Sequence, residues 1–79
     1  MMNRCIVNVI DKSVFIVFTQ IVKIGHIEVW SINGNISSII KKEIRNTNST
    51  DLNTKAEKGK YKLEINIDNH QIIKFININ

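Results

Sequence analysis

The chain has 79 residues, 11 Lys and Arg against seven Asp and Glu, a net charge of +4 and one cysteine, Cys5. That length allows one domain at most, residues 1–79, and a lone cysteine excludes an internal disulfide or a cysteine-built zinc site. No stretch reaches the about 18 uninterrupted apolar residues of a membrane-spanning helix.

A chain this short buries only about 60–65% of its unfolded surface, so its core needs many large apolar side chains. Isoleucine supplies them: there are 17 Ile, against two Leu (Leu52, Leu63) and one Ala (Ala56). β-branched side chains lose rotamer freedom in a helix and pack well on a pleated surface. The good helix formers Ala and Leu are nearly absent, so the balance favours strands. Proline is missing and glycine is scarce, which leaves turn formation largely to asparagine.

Residues 5–10 and 13–18 are two apolar runs separated by Asp11-Lys12, and they read as a hairpin. Both carry apolar residues on both faces, which predicts a central position or a covered outer face. Residues 19–25 read as a connection with Ile21 or Ile24 turned inward. Residues 26–32 alternate, with Ile27 and Val29 on one face and Glu28 and Trp30 on the other. They run into Asn33-Gly34, the pair best suited to the positive φ angles of a tight hairpin turn.

Residues 36–44 can be read two ways. Ile36, Ile39, Ile40 and Ile44 fall at helical spacing, whereas their β-branching and the two serines favour a strand. The strand is the leading reading, and the helix would make the fold α+β. A short strand over 50–52 follows, with Leu52 as its core anchor, and then a turn over 56–59. Residues 60–67 alternate without fault, Tyr61, Leu63, Ile65 and Ile67 inward and Lys60, Lys62, Glu64 and Asn66 outward. After the turn at Asp68-Asn69, residues 71–78 close the chain, with Ile73 and Phe75 competing against Ile72, Ile76 and Ile78 for the inner face. The expected fold is all-β: a small antiparallel sandwich of about seven strands.

Chemistry-bearing residues are few. His26 and His70 share no metal-ligand spacing and both adjoin predicted turns. Cys5 is flanked by apolar residues and reads as a small core hydrophobe. The acids are scattered and no glycine-rich phosphate loop exists. The expectation is therefore no enzyme and no cofactor. Trp30, with Lys60 and Lys62 nearby, is the candidate partner surface. Its leading use is protein contact with an unidentified partner, and the alternative is a small basic barrel that binds nucleic acid by stacking. Exposed strand edges would also permit self-association.

From Ile27 onward the order of features is Ile27-Glu28-Val29-Trp30-Ser31-Ile32-Asn33-Gly34-Asn35, a polar segment ending near Asp51-Leu52, then Gly59-Lys60-Tyr61-Lys62-Leu63-Glu64-Ile65, a turn and a closing strand. This resembles the C-terminal sorting domain of the type IX secretion system and related small secreted immunoglobulin-like sandwich domains. The resemblance covers about residues 27–78. In it Asn33 and Gly34 form a turn, Gly59 bends the chain into a strand and Tyr61 enters the core. It implies an immunoglobulin-like sandwich without enzymatic activity, exported to the periplasm or cell surface. The alternative it implies is a sorting or anchoring module of a larger secreted protein. Arg4 precedes a short apolar run, but Asn8, Asp11 and Lys12 interrupt it and no cleavage site follows, so no signal peptide is read. Export would then require an upstream leader.

Overall fold

Alternation of apolar and polar side chains runs through nearly the whole chain, and it produces strands throughout. A computed structural model describes residues 5–32 and 36–79. It contains β1 Cys5–Ile10, β2 Ser13–Ser31, β3 Ser37–Asn53, β4 Gly59–Ile67 and β5 His70–Ile78. All pairings are antiparallel, and the five strands form one sheet. The all-β expectation holds. The Asn33-Gly34 turn lies outside the described residues.

The helix considered for residues 36–44 does not form. Residues from Ser37 onward belong to β3, where Ile44 is buried and Ile40 packs half-buried against the core. β-branched side chains opposite an apolar neighbour strand outweigh a helical spacing of apolar positions. Among the described residues the strands number five rather than about seven. Residues 19–25 do not form a connection but continue β2, and the segment around 50–52 is the far end of β3.

β2 organises the sheet. One of its edges pairs with β3 along almost its whole length. Its other edge pairs first with β1, through Val14↔Val9 to Phe18↔Cys5, and then with β4, through Gly25↔Ile67 to Ser31↔Tyr61. A straight strand from Ser13 to Ser31 would extend about 60 Å. The chain cannot allow that. Asn53 lies opposite Ser13 and Tyr61 opposite Ser31, and the segment between Asn53 and Tyr61 can reach at most about 30 Å. β2 and β3 must therefore bend together, and the longest dimension of the molecule is only 33 Å.

The bend has a visible origin. Between Val17↔Ser49 and Val22↔Thr47 the register shifts, with more residues on β2 than on β3. Such bulges bend a strand and increase its twist. On β3 the adjoining Asn46 takes φ 50, a left-handed conformation that asparagine tolerates better than most residues. At this corner Val22 is buried while Ile21 and Ile24 are exposed, which corrects the expectation that one of those two isoleucines turns inward.

The bent sheet encloses one core. Val14, Ile16, Ile27, Val29, Leu63, Ile65 and Ile78 are its largest fully buried side chains. Tyr61 is buried too, and its hydroxyl donates to the Glu57 carbonyl at 2.6 Å. Thr54 secures the start of the connection to β4: its N–H and its hydroxyl both donate to the Lys12 carbonyl, at 2.8 and 2.9 Å. Gly59 opens β4 at φ 155, a backbone conformation accessible to glycine, as the bend into that strand requires. At the opposite end Asp68 and Asn69 take φ 41 and 69, giving the tight turn between β4 and β5.

Candidate functional site

The outward positions of the sheet beyond the corner form rows that can be followed from strand to strand. One row runs Ser38, Trp30, Lys62, Phe75 across β3, β2, β4 and β5. The next runs Lys41, Glu28, Glu64, Ile73. Cross-strand neighbours on one face stand about 4.5–5.5 Å apart at Cβ, so these side chains are in position to interact.

They do interact. The Lys62 ammonium lies 5.4 Å from the centroid of the Trp30 ring, within cation–π range. The same Lys62 Nζ makes a 2.9 Å ion pair with Glu64 Oε2. Lys41 Nζ stands 4.0 Å from Glu28 Oε2. Glu28 and Glu64 are directly opposite one another, and these two lysines offset the repulsion between them. Trp30 is half-buried, and its indole Nε1 is buried with no hydrogen-bond partner among the described residues. An unsatisfied buried donor of this kind costs about 1–3 kcal/mol. One strand beyond Lys62 in the same row Phe75 is 63% exposed, and beyond Glu64 in the next row Ile73 is 49% exposed.

Of the residues singled out from sequence, Trp30 and Lys62 meet directly, and Lys60 lies on the same face of β4, opposite Asn77. Phe75, Ile73 and Glu28 were missed as surface partners. Both faces of β5 carry apolar residues, so its orientation could not be decided without the register of β4 against β5. That register turns Ile76 and Ile78 inward and Phe75 and Ile73 outward.

The remaining candidates lie elsewhere. His26 and His70 line one open groove at the corner together with Lys23, Asn66, Asp68 and Gln71. His70 Nδ1 lies 3.1 Å from the Asp68 carbonyl, and the Asp68 carboxylate accepts from the Lys23 N–H at 3.4 Å. Among the described residues no group of three or more His, Cys, Asp or Glu is placed to hold a metal ion. Cys5 is buried in the core. Desolvation pushes its thiol pKa above the ordinary 9.0, an effect that the charge of Lys74 partly opposes. At neutral pH the group is a protonated core thiol, not a nucleophile.

A second apolar patch lies on the outer face before the corner, where Ile6 pairs with Val17 and Asn8 with Phe15. Ile6, Ile10, Phe15 and Val17 are all exposed. Of the two alternatives expected for these segments, β2 shows the central position, paired on both edges with β1 and β3, while the outer face is open in the single chain. Among the described residues no helix is long and apolar enough to cross a membrane. The chain matches no protein-family model, and no curated protein matches it at a significant level.

Proposed function

We propose that this chain is a non-enzymatic β module that acts through protein–protein contact, with the Trp30–Phe75 face as the contact surface. The observation that carries this is the exposed Phe75 in one row with Trp30, one strand beyond Lys62, together with a Trp30 Nε1 that is buried and unpaired among the described residues. Aromatic anchors ringed by charged side chains are the usual energetic centres of protein interfaces. A partner that reaches Trp30 Nε1 and offers it a carbonyl recovers the cost of the orphaned donor.

Nucleic-acid binding is the second reading, because Trp30, Lys60, Lys62 and Phe75 share a face suited to stacking and phosphate contact. It is disfavoured by Glu28 and Glu64, which place two carboxylates in the adjoining row, where a polyanion would have to pass.

The proposal extends to an exported, immunoglobulin-like module, with a sorting or anchoring segment of a larger secreted protein as its variant. Its support is the order of features from Ile27 to the closing strand. On this reading the halves of the sheet before and after the corner act as the two layers of a small sandwich.

Affinity capture from cell extract with wild-type protein and Phe75→Ser tests the contact surface, with Phe15→Ser as a control on the other patch. The expected result is a protein retained by wild type and Phe15→Ser and lost about tenfold or more by Phe75→Ser. A low-salt oligonucleotide mobility assay is expected to show no shift. Equal retention by both variants, or an oligonucleotide shift abolished by Trp30→Ala, would overturn the proposal.

A further inference from the structure

β3 is an edge strand of unusual length. Among the described residues it contacts β2 and no other strand, so its outer row of backbone groups has no strand partner there. The opposite side of the sheet is better protected, because β5 lies close to β1. An unpaired edge is a template for another strand, and natural proteins commonly guard it with charge. The charges on β3 are arranged in a particular order: Lys41, Lys42 and Glu43 between Ile40 and Ile44.

In an antiparallel pair of identical strands related by a two-fold axis, facing residues must have the same parity, so the axis passes through a residue position. Centred on Lys42, the pairing sets Lys41 opposite Glu43 of the second copy and Glu43 opposite its Lys41. It also sets Ile40 opposite Ile44 twice, joining a half-buried and a buried core-face side chain across the interface. Centring on Lys41 or Glu43 instead places like charges opposite each other and sets Lys42 against Ile40 or Ile44. Lys42 faces its own copy at the axis. Its Nζ donates to the carbonyl of Asp51 in its own chain at 2.8 Å, so its ammonium has an acceptor that the second copy need not supply.

We propose that the edge of β3 over residues 39–45 pairs with the same edge of a second copy of this chain, in the register centred on Lys42. The two-fold closes the assembly at a dimer, because each copy spends its open edge in the contact. The proposal does not depend on the Trp30–Phe75 face, which lies on the sheet surface rather than on its edge.

Sedimentation velocity across a concentration series tests it, using wild type, Lys41→Glu, Glu43→Lys and Phe75→Ser, each with its fold checked by amide NMR. Lys41 and Glu43 are both exposed, so neither substitution disturbs the core. Wild type and Phe75→Ser are expected to dimerise. Each charge reversal alone is expected to raise the dissociation constant about tenfold or more, since both cross-strand pairs become repulsive. Mixing Lys41→Glu with Glu43→Lys is expected to restore the dimer, because in the mixed pair every Glu faces a Lys. A wild type that stays monomeric, single variants that dimerise as wild type does, a mixture that does not recover, or loss of the dimer in Phe75→Ser would each overturn the proposal.

Discussion

At Gly25 the absence of a side chain is a packing requirement. This residue pairs with Ile44 on one side and Ile67 on the other, at the point where β2 leaves the corner. A Cβ there would lie 2.8 Å from Ile67 Cγ2, 3.1 Å from the Asn66 carbonyl oxygen and 3.2 Å from Ile44 Cγ1. The two isoleucines close over the space that a methyl group would need, and the carbonyl cannot move without disturbing the β2–β4 ladder. Gly25→Ala is therefore expected to destabilise the fold by about 1–3 kcal/mol, as overpacking does elsewhere. Urea denaturation followed by Trp30 fluorescence checks this, and an unchanged midpoint would show that the neighbours yield freely. From sequence, Gly25 looks like a loop residue, because glycine between apolar runs ordinarily marks a break. Only the presence of neighbours on both sides shows that it lies inside a strand.

At the scale of elements, two of the outer strands of the half-barrel, β3 and β5, each carry a lysine at a core-face position. Lys42 on β3 pairs with fully buried Ile27, and Lys74 on β5 pairs with fully buried Leu63. A charge pointing inward from an edge strand weakens pairing at that edge, because a neighbouring strand would partly bury it. Lys42 does this while its ammonium is satisfied by the Asp51 carbonyl. Lys42→Val removes that bond and sets a further β-branched side chain between Ile40 and Ile44, making the core-face row of the edge apolar throughout. The variant is expected to dimerise more tightly, seen as a lower dissociation constant in sedimentation velocity, whereas a wild-type dissociation constant would remove this role from Lys42. The strands themselves were readable where one face is apolar and the other polar, as in β4, whose inward set of Tyr61, Leu63, Ile65 and Ile67 is all buried. β5 was not, since apolar residues on both of its faces leave the register to be set by its neighbour.

For the molecule as a whole, the all-β class follows from the dominance of isoleucine over leucine and alanine, but the architecture depends on a feature without a composition signal. Seven apolar segments become five strands because β2 and β3 continue through a corner instead of stopping at it. Gln20 and Thr19 look like a break, and Asn46 like a turn. A bulge and one left-handed residue let hydrogen bonding resume on the far side, where Val22 pairs with Thr47 and Ile24 with Arg45. The same continuity places Trp30 between β3 and β4 and so assembles the candidate surface from segments distant in sequence. Trp30 and Lys62 could be nominated from their types alone, but their contact, and the addition of Phe75, required the register of three strands.

That register can be tested at one side chain. If Lys62 lies over the Trp30 ring as the 5.4 Å separation requires, the ring current shields its methylene protons. The measurement is the proton NMR spectrum of the Lys62 side chain in wild type and in Trp30→Leu. The account predicts Lys62 methylene resonances upfield of ordinary lysine values in wild type, returning towards them in the variant while the remaining core resonances persist. Ordinary Lys62 shifts in a folded wild-type protein would contradict the row of Trp30, Lys62 and Phe75, and with it the surface proposed for this protein's contacts.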